Sequence, residues 1–204
     1  MATESPAQRS PSIPQDLHIH TTFSNGDGAI LPEQTVAMVA AVGHAKVVGI
    51  SDHLEFVYGR GFDTYRQEVR RHKLHVGVEV NGHDWIDDAL GVDVEYYVYH
   101  CRDVAADYRG AERLLATGRP VIIAHPLVLE TNLARVPDSC FIEINNRYVW
   151  RSDWRAGLGP WVGRFRFVIG SDAHQPHWLN QNVARMVAAA LGVRETVLFD
   201  AWDR

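Results

Sequence analysis

The chain has 204 residues, a formal net charge of −5 and two cysteines. That length suits one domain with a proper core, and the acidic balance argues against a protein that coats nucleic acid, since backbone binding normally needs a basic excess. Cys101 and Cys140 lie far apart and outside any CxxC pattern, which excludes a disulfide framework and a thiolate zinc knuckle.

Each cysteine reads instead as a small buried hydrophobe. No apolar run is long enough to span a bilayer. The first fifteen residues, rich in Ser and Pro, lack the apolar stretch of a secretory signal. Residues 1–15 therefore read as a disordered tail before a hydrolase domain over 16–204, and the cytoplasm is the expected compartment.

Short β-branched runs alternate with helical patterns, the signature of an α/β fold with parallel strands. A strand over Asp16–Thr21 leads to a helix over Pro32–Val42, with Pro32 in its first turn and Gly43 as C-terminal cap. Strands over Lys46–Ser51 and Leu74–Val80 flank a helix over Phe62–Arg71. Strands over Val94–His100 and Pro120–Ala124 flank a helix over Asp103–Thr117. Strands over Phe141–Asn145 and Arg166–Gly170 enclose a helical stretch over Arg151–Val162, and a last helix over Trp178–Leu191 ends at Gly192. About seven βα-like units in so short a chain predict a small, distorted closed barrel.

Polar residues fall at the ends of these strands. His18 and His20 are two apart, so both side chains share a face. The second strand runs into Asp52 and His53, the third carries Glu79, the fourth ends at His100 and the fifth at His125. The seventh ends in Asp172 and His174, again two apart. In a parallel barrel the C-terminal strand ends converge on one rim, where active sites are built. Imidazoles and carboxylates together are the ligands of Zn, Mn or Fe, and a carboxylate can bridge two ions. Too many candidates stand here for one four-coordinate ion. Two or three are expected. His44, His72 and His75 read as surface or core residues, and His83 and His177 as loop residues near the rim that could touch substrate.

The runs DLHIHTTFSNGDGAI, GISDH, VGVEV, VYH, IIAHP and IGSDAH resemble the successive motifs of the PHP superfamily, the polymerase and histidinol phosphatase domain. The resemblance extends from Asp16 to His174. It implies a distorted (β/α)7 barrel holding two or three divalent cations. By that resemblance His18, His20, Glu79 and Asp172 hold the first ion, and Glu79 bridges to a second, completed by His100 and His125. A third takes His53, His174 and a residue of the loop after His20. Many members read HTxxSDG, whereas Asn25 stands at that place here; a longer form of the motif fits Asp27, the better ligand because Asn brings no charge. Asp16 and Asp52 are expected to accept the free N–H of ligand imidazoles.

Glu143 and Asn145 share one face of the sixth strand and are expected to line the substrate pocket. Arg147 is the first candidate for a phosphate-binding fork, with Arg60 and Arg151 behind it. The RYVWRSDWR run either stacks a heteroaromatic leaving group or forms a half-buried helix face. The expected activity is hydrolysis of a small phosphomonoester, histidinol phosphate-like or nucleotide-like, by water activated between cations, with Glu79, Asp172 and His174 as the catalytic set. Phosphodiester or exonuclease cleavage, phosphotyrosine hydrolysis and amide hydrolysis could use the same chemistry, and a non-catalytic metal-binding module is the rival from another class. The expected partner is a small-molecule phosphoester, not a membrane or a nucleic-acid polymer.

Overall fold

In the computed structural model, which describes residues 13–202, seven parallel strands form one sheet in chain order. They are β1 (Ile13–Asp16), β2 (Ala45–Ile50), β3 (His75–Val80), β4 (Tyr96–Tyr99), β5 (Val121–Ile123), β6 (Phe141–Asn145) and β7 (Arg166–Gly170). The sheet rolls into a nearly closed (β/α)7 barrel. Beyond the ends of β1 and β7 the chain is stitched across the gap: the Asp172 amide donates to His18 O at 2.8 Å and the His20 amide to Ala173 O at 2.9 Å. Asp16 Oδ1 accepts from the Ser171 amide at 3.0 Å.

Alternation along the strands separates two cores. Val76, Val78 and Val80 of β3, with Tyr97, Tyr99, Ile142, Ile144 and Ile169, pack outward against the helices. Leu17, Val47, Tyr96, Val98, Ile122 and Val168 make the second cluster, inside the barrel. Tyr96 occupies the space over Gly49 and Gly77, where an added Cβ would lie 2.4 Å and 2.3 Å from its ring or hydroxyl. Leu198 and Phe199, near the C-terminal end, pack against this inner cluster, and Phe199 stacks on His75 at 4.4 Å between centroids. The barrel floor is thus filled by apolar groups, leaving the polar residues to the opposite rim.

The helices are α1 (Val36–Val42), α2 (Leu54–Val57), α3 (Phe62–Arg71), α4 (Ile86–Leu90), α5 (Ala105–Leu115), α6 (Trp154–Leu158) and α7 (Asn182–Leu191). The α3 span agrees with expectation, and Gly43 and Gly192 do cap in the left-handed region, at φ 54° and 68°. Other boundaries differ. Regular pairing of the first strand ends at Asp16, and beyond it the chain runs between both neighbours: Ile19 O accepts from the Ser51 amide at 2.9 Å on the β2 side, while residues 18 and 20 bond to residues 172 and 173 beyond β7. Ile13–Gln15, expected to belong to a tail over 1–15, are part of β1 instead; residues 1–12 lie outside the described residues.

Pro32 precedes α1 instead of entering it, because Thr35 accepts from the Met38 amide and starts the helix there. The stretch expected as one helix over Arg151–Val162 is broken, with Asp153 capping the short α6 and Gly159-Pro160 ending it in a 3-10 turn. The last helix starts at Asn182 rather than Trp178, where Asn146 Oδ1 accepts from the Val183 and Ala184 amides. Both cysteines are buried and unpaired, and burial pushes each thiol up to about 12. No helix among the described residues is long and apolar enough to cross a membrane.

Candidate metal centre

Glu79 is the inward-facing residue one step above Gly77 on β3, so its carboxylate rises to the rim inside the barrel. It is 1 % exposed. Five imidazoles surround it. His100 Nε2 lies 2.6 Å and His18 Nε2 3.1 Å from Glu79 Oε1, with His125 Nε2 at 3.5 Å. His53 Nδ1 lies 2.9 Å and His20 Nε2 3.4 Å from Oε2. Burial alone would raise the Glu79 carboxyl; the neighbouring imidazoles, His100 first and then His18 and His53, overcome this and hold it well below the usual range.

Three overlapping groups emerge. His18, His20 and Asp172 converge, their ring nitrogens 3.8 Å and 3.7 Å from Asp172 Oδ1. Glu79 faces His100 and His125 on one side. On the other, Asp27 Oδ2 lies 2.9 Å from His174 Nε2 and 3.4 Å from His53 Nε2. Asn25 is exposed and makes no such approach, so the geometry favours Asp27 of the two loop candidates. All nine residues expected as ligands come together.

The donor set fits divalent cations. Glu79 Oε2 and His53 Nδ1, although close, lack hydrogen-bond alignment, and His20 Nδ1 and His125 Nδ1 are also buried without partners. Buried polar atoms normally find a hydrogen bond, so Glu79 Oε2 and His53 Nδ1, 2.9 Å apart without pairing, suit a shared cation. His20, held neutral by burial and then by the neighbouring His53 charge, is already in the ligating form. His125 and Asp172 adopt the left-handed region at φ 26° and 54°, a strained geometry for non-glycine residues that often accompanies functional sites.

The residues expected to support these ligands divide differently. Asp16 reaches His44 at 2.9 Å, and no proposed ligand ring. Asp52 accepts from the Thr21 amide, the Thr21 hydroxyl and the Ser24 hydroxyl at 2.7, 2.6 and 2.6 Å, pinning the loop that carries Asp27. Burial outweighs these three bonds and raises its carboxyl to about 6.

Glu143 takes the role expected of those aspartates. Its Oε1 lies 2.8 Å from His18 Nδ1, and its Oε2 accepts from the His125 amide at 2.8 Å and Asn145 Nδ2 at 2.9 Å. Glu143 and Asn145, expected to line the substrate pocket, are 1 % and 2 % exposed and spent on these internal bonds. Asn145 Nδ2 also reaches Asp172 Oδ2 at 3.2 Å, and its Oδ1 accepts from the Arg147 and Tyr148 amides. The inward register of β6 was the available signal: residue 143 faces the barrel axis at the level of His18, below the rim.

Above the cluster opens a cleft of about 400 Å³, lined by the candidate ligands other than His18 and His20 and by Val128, Leu129, Arg147 and Tyr148. Arg147 Nη1 lies 3.4 Å from Asp172 Oδ1 and 3.1 Å from His174 Nδ1, so the expected fork does reach the site. Val128 and Leu129 carried no sequence signal, whereas Tyr148 belongs to the RYVWRSDWR run singled out for ring stacking. Arg60 and His177 are exposed outside the cleft, and His83 is held by Asp107 at 2.5 Å. Of the histidines expected at the surface or in the core, His44 and His75 are largely buried, beside Asp16 and Glu95.

A family model described as "PHP domain" matches residues 16–146, nearly two thirds of the chain, ending before Asp172 and His174. No curated protein matches the sequence. Among solved structures, the truncated form of 3-deoxy-D-arabino-heptulosonate 7-phosphate synthase from Thermotoga maritima is similar over 88 % of this chain and 72 % of its own, at 12 % identity and a TM-score of 0.47.

Proposed function

The chain belongs to the PHP domain family, and on that premise we propose that it is a metal-dependent phosphoesterase acting on a small phosphomonoester. One observation carries the reading: five imidazole nitrogens stand within 3.5 Å of the single buried carboxylate of Glu79. In this assignment His18, His20, Glu79 and Asp172 hold one ion, Glu79, His100 and His125 a second, and Asp27, His53 and His174 a third. Bound Zn, Mn or Fe would polarise a phosphoryl oxygen and acidify water to near neutral pH.

The chain's own groups do the rest. Arg147 presents a guanidinium edge beside Asp172, where it can take two phosphoryl oxygens and offset their growing charge. Tyr148, Val128 and Leu129 narrow the cleft and limit bulk water around the ester. Asp172 or His174, both beside Arg147, would return a proton to the leaving oxygen. Among the residues lining the cleft Arg147 is the one guanidinium, and a single positive group supports a compact monoester better than a polymer track.

The test is to strip the protein, reload it with Mn, Zn or Fe, and measure phosphate release from monoesters beside nuclease and amidase substrates. Turnover of small monoesters that scales with bound metal is expected. A fully loaded protein inert to every phosphoester would return the chain to the accessory-module reading.

A further inference from the structure

Next to the cleft over the candidate ligands lies a second cavity, of about 320 Å³, which shares Arg147 as a wall. Its chemistry is opposite in sign. The cleft is lined by Asp27, Glu79 and Asp172, whereas this cavity is lined by Arg147 and Arg151, two indoles, two carboxamides and a hydroxyl. No carboxylate lines it among the described residues. In a chain of net charge −5, such a pocket is unexpected unless a negative group enters it.

The two guanidiniums are held by rings. Arg147 Cζ lies 4.9 Å from the centroids of Trp178 and Tyr148, and Arg151 Cζ lies 5.0 Å from those of Tyr148 and Trp150. Ring and cation thus alternate from Trp178 to Trp150. Arg151 has no carboxylate partner among the described residues, so its donors are not already spent on an acid. The Trp150 indole N–H is engaged by Arg147 O at 2.9 Å, which fixes its plane while the residue stays 61 % exposed. A tryptophan this exposed, oriented by a hydrogen bond, offers a preset stacking face. Asn146 and Asn180 bond to each other and to backbone, so they act as walls.

We propose that this cavity is a leaving-group subsite, and that it takes a planar group bearing a second negative charge. The inference rests on the phosphoesterase reading. Arg147 touches Asp172 and His174 on one side and the second cavity on the other, so an ester seated on the metal cluster would direct its alcohol portion past Arg147. Hydrolysis forms one P–O bond from water and breaks the ester P–O bond, and the leaving oxygen takes a proton. The detached product is then a planar hydroxy compound whose carboxylate or phosphate rests on Arg151, with its ring against Trp150. An amine-bearing alcohol is disfavoured, because two guanidiniums repel it. A neutral planar alcohol gains stacking without the ion pair.

The experiment compares kcat/KM for phenyl phosphate and 4-carboxyphenyl phosphate on manganese-loaded protein, in the native chain and in Arg151→Gln and Arg151→Lys. Arg151 is exposed, so both variants should fold, as circular dichroism would verify. The native chain should favour the carboxylated ester by about tenfold or more, as expected for a charge-assisted hydrogen bond. That ratio should collapse toward one in Arg151→Gln and recover in part in Arg151→Lys. Equal kcat/KM for the two esters in the native chain, or a ratio that Arg151→Gln does not move, overturns the proposal. If neither ester is hydrolysed, aryl monoesters are excluded as substrates, and tryptophan fluorescence then judges the cavity alone. Saturable quenching by 4-hydroxybenzoate but not phenol, lost in Arg151→Gln, upholds an anion subsite; quenching absent or indifferent to the substitution rejects it.

Discussion

Glu143 Oε1 stands 2.8 Å from His18 Nδ1 inside the barrel, and the same carboxylate receives the amide of His125 on its other oxygen at 2.8 Å. One buried acid therefore orients one proposed ligand ring and holds the strained backbone of another. Through Asn145 it reaches a third, Asp172. Gly170 makes this arrangement possible, since an added Cβ there would fall 2.1 Å from Glu143 Oε1.

Glu143→Gln should accordingly lower manganese affinity by about 10- to 100-fold, the usual effect of losing a carboxylate behind a ligand histidine. Gly170→Ala should reproduce the loss by displacing Glu143, with the ligands themselves intact. Manganese titration followed by electron paramagnetic resonance reads both. Native affinity in Glu143→Gln would refute the orienting role.

Glu79→Gln should remove metal and turnover together while the barrel still forms. The amide keeps the shape of the side chain but brings no charge to balance cations at the proposed shared position. Elemental analysis beside an activity assay checks this, with an expected loss of activity on the order of 100-fold or more. Unchanged metal content would remove Glu79 from the ligand set.

Asp27 and Asn25 separate the two loop candidates. Asp27 Oδ2 lies 2.9 Å from His174 Nε2, whereas Asn25 is exposed. Asp27→Ala should lose the weakest-bound equivalent of metal, and Asn25→Ala should keep it. Stepwise metal titration distinguishes them. The reverse outcome would assign the site to Asn25.

Metal binding should release protons. In the metal-free chain burial works against a charged His53 ring, but the Glu79 carboxylate and the Asp27 contact outweigh it and raise the ring from 6.5 to about 10. His18 is likewise raised, as the charges of Glu143, Asp172 and Glu79 overcome its burial. With the folded value above the unfolded one, this His53 contribution to stability is complete below about pH 6.5 and disappears as pH climbs toward 10. Cations must displace these protons, so their affinity should rise across the same interval. Calorimetry in buffers of different ionisation enthalpy measures the release. A binding heat independent of buffer would contradict it.

Sequence alone determined the repeating βα pattern and the polar residue at nearly every strand end, because period-two alternation and β-branched runs are local properties that need no partner. From these followed the barrel and the convergence of His18, His20, His53, Glu79, His100, His125, Asp172 and His174 on one rim. What lies behind those residues was decided by tertiary structure. Asp16 and Asp52 neighbour ligands in the chain, yet Asp16 meets His44 and Asp52 meets the Thr21–Ser24 loop. Glu143, 125 residues from His18, meets it across the barrel interior. Which acid faces which imidazole depends on strand stagger and on the room left by Gly170. Neither is written in any short stretch of chain, since both arise only when the sheet closes.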